Sequence, residues 1–223
     1  MTNSFVEQTR SIGQELTADW GNHVQTQADC IEDDLAAGDL AVAASQLTGT
    51  INKDRLPAAV KPIFLSAGGG TPNTTNGCAP AAKLELPTND IMVVTANFDA
   101  STQEYDSWGF VLPDGYNAGT FVPRFYWTAA SGTAGNTVIW GIQGRSFGDG
   151  ESLDQALGTA VEASDAFQSA NALHIITGSA VTLAGTPAGG EWVVFKAYRK
   201  QGTLAVDAKL LGIYLEYTGA YSD

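Results

Sequence analysis

The hydrophobic pattern divides the chain into two parts. Between residues 5 and 35 the larger apolar residues recur with the spacing of one face of an α-helix. No complementary stripe follows, so we predict a helical segment over residues 1–38 that packs against copies of itself or against another protein. The stripe consists of Phe5, Ile12, Leu16, Trp20, Val24, Ile31 and Leu35.

A connector follows the stripe and precedes the second part. Leu47, Ile51 and Leu56 are its spaced apolar residues, and they form too short a pattern to build a core. Residues 66–82 are rich in Gly, Pro, Thr and Asn, a composition typical of a flexible linker. We therefore assign residues 39–82 to a connector and residues 83–223 to a C-terminal domain.

The second part alternates short apolar runs with turn clusters, which is the pattern of a mainly β fold. Clusters such as Pro113-Asp114-Gly115 supply the backbone conformations that tight turns require. We predict an N-terminal α-helical anchor followed by an antiparallel, jelly-roll-like β-sandwich. Its predicted strands are residues 91–99, 106–112, 120–128, 137–146, 172–177, 180–184, 192–199 and 209–217.

The period-two alternation also predicts which side chains face the core. In residues 120–128 it places Phe121, Phe125 and Trp127 on one side, and Arg124 and Tyr126 on the other. The predicted outer faces still hold many apolar side chains, more than a monomer usually exposes. Either some faces are assigned wrongly, or sister subunits cover them. The side chains in question are Trp108, Phe110, Trp192, Val194, Leu210 and Tyr214.

Charge narrows the range of partners. The net charge is −13, and an acidic surface repels nucleic-acid phosphate, so DNA and RNA are not expected partners. The first 50 residues hold eight acidic residues and one arginine, which makes this segment either a solvated arm or a surface for a basic partner. The start of the chain lacks the pattern of a signal peptide, and no apolar run is long enough to span a bilayer. We expect synthesis in a cytoplasm and no membrane insertion.

Motifs for nucleophilic, metal or cofactor chemistry are absent from the sequence. Cys30 and Cys78 are far apart and lack metal-ligand spacing, so free thiols are expected. His23 and His174 have no partner at a spacing that marks a catalytic triad. The acidic residues of 149–154 do not follow the spacing of an EF-hand loop. We therefore predict no enzyme and no cofactor.

Glycoside hydrolysis by a pair of carboxylates is the enzymatic alternative. Most candidate acids lie in or beside turn clusters, where Asp is favoured for local hydrogen bonds, so this alternative ranks low. The candidates are Asp99, Glu104, Asp106, Asp114, Asp149, Glu151 and Asp154.

Carbohydrate binding is a better interpretation of the aromatic and arginine residues. Sugars stack on aromatic rings and are oriented by planar polar groups. We expect three other aromatic residues in the core instead: Phe125, Trp127 and Trp140. Along their strands they alternate with residues that face the turns. The candidate ligand-binding residues are Tyr105, Trp108, Tyr116, Arg124, Tyr126 and Arg145.

Two segments resemble parts of bacteriophage virion proteins. LTGTINKDRLP, residues 47–57, resembles the short elements of tailed-phage fibres that wrap a threefold axis. The stretch from FYWTAASGTAGNTVIWGIQGRSFGDG onward, within residues 91–217, is similar to a C-terminal domain that recurs in phage virion proteins.

The resemblance implies a homotrimeric fibre or spike on the virion, attached to the head or the tail. Its N-terminal segment would bind a capsid or tail protein through Phe5, Ile12, Leu16, Trp20 and Val24, and its β-sandwich tip would face a host surface glycan. Leu47, Ile51 and Leu56 would form the trimer connector, and since the fibre element occurs once, the shaft would be short. A monomeric carbohydrate-binding module, an adaptor protein and a glycan-cleaving depolymerase remain as alternatives.

Overall fold

The computed structural model describes residues 59–117 and 119–219. The predicted N-terminal helix and the connector residues Leu47, Ile51 and Leu56 lie outside the described residues. In the part of the chain that is described, no helix is long and apolar enough to cross a membrane.

The described residues form eleven β-strands and one turn of 3₁₀-helix at Ala67–Gly69. The strands are β1 (Ala59–Ser66), β2 (Thr71–Pro72), β3 (Ala79–Leu86), β4 (Ile91–Phe98), β5 (Glu104–Val111), β6 (Val122–Thr128), β7 (Thr137–Phe147), β8 (Val161–Ala166), β9 (His174–Thr177), β10 (Trp192–Lys200) and β11 (Ala208–Gly219).

The strands form two antiparallel sheets that pack face to face. The first sheet has the order β3-β4-β11-β6-β9, and β1 pairs with the second half of β11 beside β4. The second sheet has the order β2-β5-β10-β7-β8. The mainly β, antiparallel sandwich predicted from the sequence is confirmed.

The core lies between the two sheets and is rich in aromatic rings. Trp140 of β7 stacks against Phe125 of β6 with ring centroids 6.0 Å apart, and it meets Phe98 of β4 edge to face at 5.2 Å. All three side chains are at most 1% exposed. Since each reaches the core by period-two alternation, the opposite residues of the same strands necessarily form the outer faces.

The sandwich begins earlier than the sequence indicated. Strands β1 and β3 belong to the first sheet and β2 to the second, so the domain starts by Ala59 and not at residue 83. Residues 66–82, interpreted as a flexible linker, place Ala67 and Cys78 in the core. Two prolines of this segment, Pro72 and Pro80, lie in β2 and β3, and proline is tolerated there because each of these strands is at the edge of its sheet.

The predicted strand 180–184 is a crossing between the sheets. Val181 bridges Phe121 at the start of β6, whereas Ala184 bridges Arg145 of β7. The apolar alternation is real, since Val181 and Leu183 are buried, but the backbone leaves one sheet for the other within three residues. The sequence also missed β8, whose small and acidic residues lack a strand-like pattern.

Two face assignments are wrong. Trp108 and Phe110 of β5 point inward, where Trp108 is 4% exposed and donates its indole N–H to the Ser66 carbonyl at 2.8 Å. Leu210 of β11 is fully buried, because the register with β6 shifts between Leu210 and Gly212 and reverses the alternation there. The outer faces are therefore less apolar than the sequence suggested.

Candidate functional site

The six candidate ligand-binding residues separate into three pairs in the structure. Arg124 and Tyr126 lie together on the outer face of the first sheet, as alternate residues of β6. Tyr105 of β5 and Arg145 of β7 lie on the outer face of the second sheet. The remaining pair, Trp108 and Tyr116, lies in the core, so neither ring presents a face to a ligand.

Tyr116 is held inside by its neighbours. It stacks on Phe121 with ring centroids 5.3 Å apart and donates its hydroxyl proton to the Gly119 carbonyl. Burial raises the pKa of its phenol above the ordinary value. Its role is therefore to close the core beneath the loop that follows β5.

The first-sheet pair belongs to a row of side chains that crosses four strands. Phe64 of β1 pairs with Tyr214 of β11, Tyr214 pairs with Arg124 of β6, and Arg124 pairs with Thr177 of β9. Adjacent rows add further side chains to the same surface. We call this surface the Arg124 face and define it by Phe64, Arg124, Tyr126, Tyr214 and Glu216.

Arg124 is the centre of this face. Its guanidinium lies 3.2 Å from a carboxylate oxygen of Glu216 and 5.4 Å from the ring centroid of Tyr214. The hydroxyl of Tyr126, and after it the charge of Glu216, raises the pKa of Arg124. The side chains of Arg124 and Glu216 are 37% and 31% exposed, so the pair is ordered by its neighbours and still reachable.

Phe64 extends the face as a flat ring. A Cβ atom at Gly212 would lie 2.5 Å from the Phe64 ring, so the ring rests on the backbone of β11 where a side chain is missing. It meets Tyr126 edge to face, with centroids 6.4 Å apart and planes at 76°. Phe64 is nevertheless 56% exposed, and its outer surface is open to a ligand.

The Arg124 face thus combines open rings with an ordered pair of opposite charges. A pyranose ring has one apolar side that stacks on aromatic rings, and hydroxyl groups that both donate and accept hydrogen bonds. Arg124 supplies planar hydrogen-bond donors in the same row as Phe64 and Tyr214, and Glu216 supplies acceptors in the adjacent row. The arrangement can stack on one side of a sugar ring and form hydrogen bonds with its hydroxyl groups.

The second-sheet pair, Tyr105 and Arg145, has other neighbours. Lys196 lies over the Tyr105 ring at 5.3 Å, and Gln103 donates to the Tyr105 hydroxyl at 2.8 Å. Arg145 lies over the Phe147 ring at 5.6 Å and donates to the Ala156 carbonyl at 3.0 Å. The structure therefore places these two predicted residues on a separate surface.

Three of the candidate catalytic acids, Asp99, Asp106 and Glu151, are engaged in local contacts. Asp99 accepts three hydrogen bonds from Ser101 and Thr102, which lower the pKa of its carboxyl. Asp106 is buried, and Glu151 accepts from the Gly148 N–H in its own turn. Among the described residues, no group of three or more His, Cys, Asp or Glu side chains could hold a metal ion.

Sequence reasoning missed three members of the Arg124 face as ligand-binding residues. Phe64 had been assigned to the connector, although Ile63, Phe64 and Leu65 form a short apolar run of the kind that a strand contains. Tyr214 was recognised as outward-facing, but its contact with Arg124 depends on the pairing of β6 with β11. Glu216 reaches Arg124 across the same non-local pairing, which no local pattern reveals.

Comparisons with known proteins give structural similarity only. No family model matches the chain, and no curated protein matches it. Solved structures similar to the chain include β-sandwich carbohydrate-binding modules.

One is the CBM22-1 xylan-binding domain from Paenibacillus barcinonensis Xyn10C, with 12% identity, a TM-score of 0.40 and coverage of 75% of this chain and 100% of that domain. Another is Caldicellulosiruptor saccharolyticus CBM27-1 in complex with mannohexaose, with 10% identity, a TM-score of 0.39 and coverage of 70% of this chain and 97% of that module. TmCBM61 in complex with beta-1,4-galactotriose has 12% identity, a TM-score of 0.35 and coverage of 67% and 86%. At these values the similarities assign neither a family nor a ligand to this chain.

Proposed function

We propose that the protein binds a carbohydrate through the Arg124 face and does not cleave it. The observation that supports this function is the Arg124–Glu216 pair, 3.2 Å apart, surrounded by Phe64, Tyr126 and Tyr214 on one open sheet surface. The rings give stacking area, and the charged pair gives direction to the hydroxyl groups of a sugar.

The pair also favours neutral over charged sugars. Glu216 already balances the charge of Arg124, so an acidic sugar would have to displace a bonded carboxylate. A neutral sugar can donate to Glu216 and accept from Arg124 while the ion pair remains. The proposed ligand is therefore a neutral oligosaccharide of a cell envelope.

The setting that we propose is a homotrimeric spike or fibre on a tailed-phage virion. It is supported by the sequence resemblance of residues 47–57 and 91–217. In this setting the N-terminal segment attaches to a capsid or tail protein, and the sandwich is displayed toward the host. Ile91, Met92 and Val94 of β4 are exposed apolar side chains that a neighbouring subunit would cover.

Binding to an array of neutral and acidic oligosaccharides tests the proposed site, followed by affinity measurement on variants of the full chain. Arg124→Gln and Phe64→Ala should each weaken binding of a neutral oligosaccharide by roughly tenfold or more. Leu153→Ala is a matched control, because it removes a side chain that is 72% exposed on the loop between β7 and β8. Equal affinity of the Arg124→Gln and Leu153→Ala proteins would reject the site.

Light scattering on the purified chain tests the proposed setting. A trimer is expected, whereas a stable monomer would favour the alternative of a free carbohydrate-binding module. Release of reducing ends from a bound polysaccharide would instead favour the depolymerase.

A further inference from the structure

The outer face of the second sheet has a different chemistry from the Arg124 face. Its outward residues include Trp192 and Lys196 of β10, with Ser107 of β5 and Gln143 of β7 on either side of Lys196. We call this surface the Trp192 face and define it by Ser107, Gln143, Arg145, Trp192 and Lys196.

Trp192 presents an open, flat indole. A Cβ atom at Gly109 would lie 2.3 Å from the Trp192 ring, so the indole rests on the backbone of β5 at a position without a side chain. Trp192 is 44% exposed, whereas Trp108, Trp127 and Trp140 are buried. A large ring held flat against a sheet, with its outer side free, is a stacking surface whose ordering cost is low.

This face concentrates positive charge in an acidic protein. Arg145 and Lys196 are its cations, and Lys200 adds a third on the same side of β10. Among the described residues that point outward from β5, β7, β8 and β10, the carboxylate is Glu162 of β8. Lys200 is paired with Glu162 at 3.2 Å, and Arg145 donates to the loop after β7. The local excess of cations contrasts with the net charge of −13 for the whole chain.

Lys196 is the cation left for a ligand. It lies over the Tyr105 ring and forms no ion pair with a carboxylate of the described residues. Ser107 and Gln143 are its direct partners in the two adjacent strands, and the Gln143 amide makes no side-chain hydrogen bond within the same part of the chain. A short row of polar side chains therefore crosses three strands, with the Lys196 ammonium at its centre. The Ser107 hydroxyl of this row donates to the Asn73 side chain at 3.4 Å.

We propose that the Trp192 face is a second binding surface, for an acidic oligosaccharide that lies along β10. One sugar ring stacks on Trp192, and a carboxylate of a nearby sugar accepts hydrogen bonds from Lys196 and Gln143. The two anchors are four residues apart on one strand, a separation of about 13 Å that suits a short oligosaccharide. Nucleic acid fits poorly because the remainder of the protein would repel its phosphates.

Binding of a β-1,4-linked oligoglucuronate to the full chain tests the proposal, with the neutral cello-oligosaccharide of equal length as the matched ligand. The wild-type protein should bind the oligoglucuronate roughly tenfold more tightly, and added salt should remove that difference. Lys196→Gln should abolish the preference, Lys196→Arg should retain it, and Trp192→Ala should weaken binding of both ligands. The comparison of Lys196→Gln with Lys196→Arg keeps the test valid even if the Trp192→Ala protein fails to fold.

Each of the two surfaces is tested by its own variants. Phe64→Ala and Arg124→Gln should leave oligoglucuronate binding unchanged, so a failed Arg124 face does not decide this result. Oligoglucuronate that does not bind the wild-type protein, or that binds the Lys196→Gln and wild-type proteins equally, overturns the proposal. Loss of self-association in Trp192→Ala, without any effect on oligoglucuronate, would identify a second copy of the chain as the occupant and would likewise overturn it.

Discussion

Arg199 of β10 and Asp106 of β5 are both buried between the sheets, at 0% and 1% exposure, yet their surroundings treat charge in opposite ways. Arg199 donates hydrogen bonds to three backbone carbonyls. These bonds replace water around the guanidinium, so the charge is kept although burial lowers the pKa of Arg199. The acceptors are the carbonyls of Phe98 at 2.9 Å, Val206 at 2.8 Å and Leu204 at 2.7 Å.

Asp106 has fewer partners. Its carboxylate accepts the Ser107 N–H at 2.9 Å and a hydrogen bond from the Cys78 thiol. Burial outweighs both and raises the pKa of Asp106 from 3.8 to about 6. Burial, and then the charge of Asp106, raises the pKa of Cys78 to about 12.

The contrast teaches that the number of hydrogen-bond partners, and not burial alone, decides whether a buried side chain keeps its charge. The region around Arg199 should hold the fold together at any ordinary pH. The region around Asp106 should weaken as the carboxyl ionises. Asp106 also lies between Tyr105 and Ser107 in β5, so this pH dependence reaches the strand that supports the Trp192 face.

Replacement of Arg199 should have the largest effect. Arg199→Met keeps the apolar stem but leaves three backbone carbonyls without their donors. We expect the free energy of unfolding to fall by about 4 kcal/mol, as measured by urea denaturation. Lys200→Met is the matched control, because this exposed neighbour loses only its ion pair with Glu162 and should change stability by less than about 1 kcal/mol. Similar losses in the two variants would show that the carbonyl contacts contribute little.

Replacement of Asp106 should have an effect of opposite sign. Because its pKa is higher in the folded state, the carboxyl favours folding most below pH 3.8, and this contribution is lost as the pH rises through about 6. Asp106→Asn should therefore stabilise the protein at neutral pH by at most about 3 kcal/mol, since one pKa unit is about 1.4 kcal/mol. The gain should disappear below pH 4, in urea denaturation repeated across the pH range. A gain that is equal at all pH values would mean that ionisation of Asp106 is not its source.

The smallest effect is expected at Cys78, the donor to Asp106. Cys78→Ala removes the thiol hydrogen bond, should raise the pKa of Asp106 further, and should cost about 1 kcal/mol at neutral pH. Cys78→Ser keeps a donor and should retain more of the stability at neutral pH. Identical pH profiles of stability for the two variants would show that a hydrogen bond from residue 78 does not affect the pKa of Asp106.

The sequence predicted the sandwich because its central strands obey local rules. Phe125 and Trp127 alternate with Arg124 and Tyr126 in β6, and Val193 and Phe195 occupy alternate positions of β10; all four are buried. Outer strands were harder, because β3 and β8 are rich in small and charged residues, and they become strands through pairing with a neighbour. Local pattern thus predicts the elements that make the core and misses those that complete the sheets.

The candidate site was predicted in part for a similar reason. Arg124 and Tyr126 are neighbours on one strand, so their common face follows from alternation alone. Phe64 and Glu216 join them only because β1, β11 and β6 pair with one another, and these strands lie far apart in the sequence. Trp108 was misplaced because both sides of β5 contain a large aromatic residue, and alternation does not say which side is inward.

The pairing of Ala59 with Gly219 has a consequence for architecture. The first and last residues of the described sandwich are neighbours at one pole, while the turns after β4, β6 and β10 gather at the opposite pole. A domain entered and left at a single point can be inserted into a loop of another protein, or circularly permuted at a distal turn, without breaking a strand.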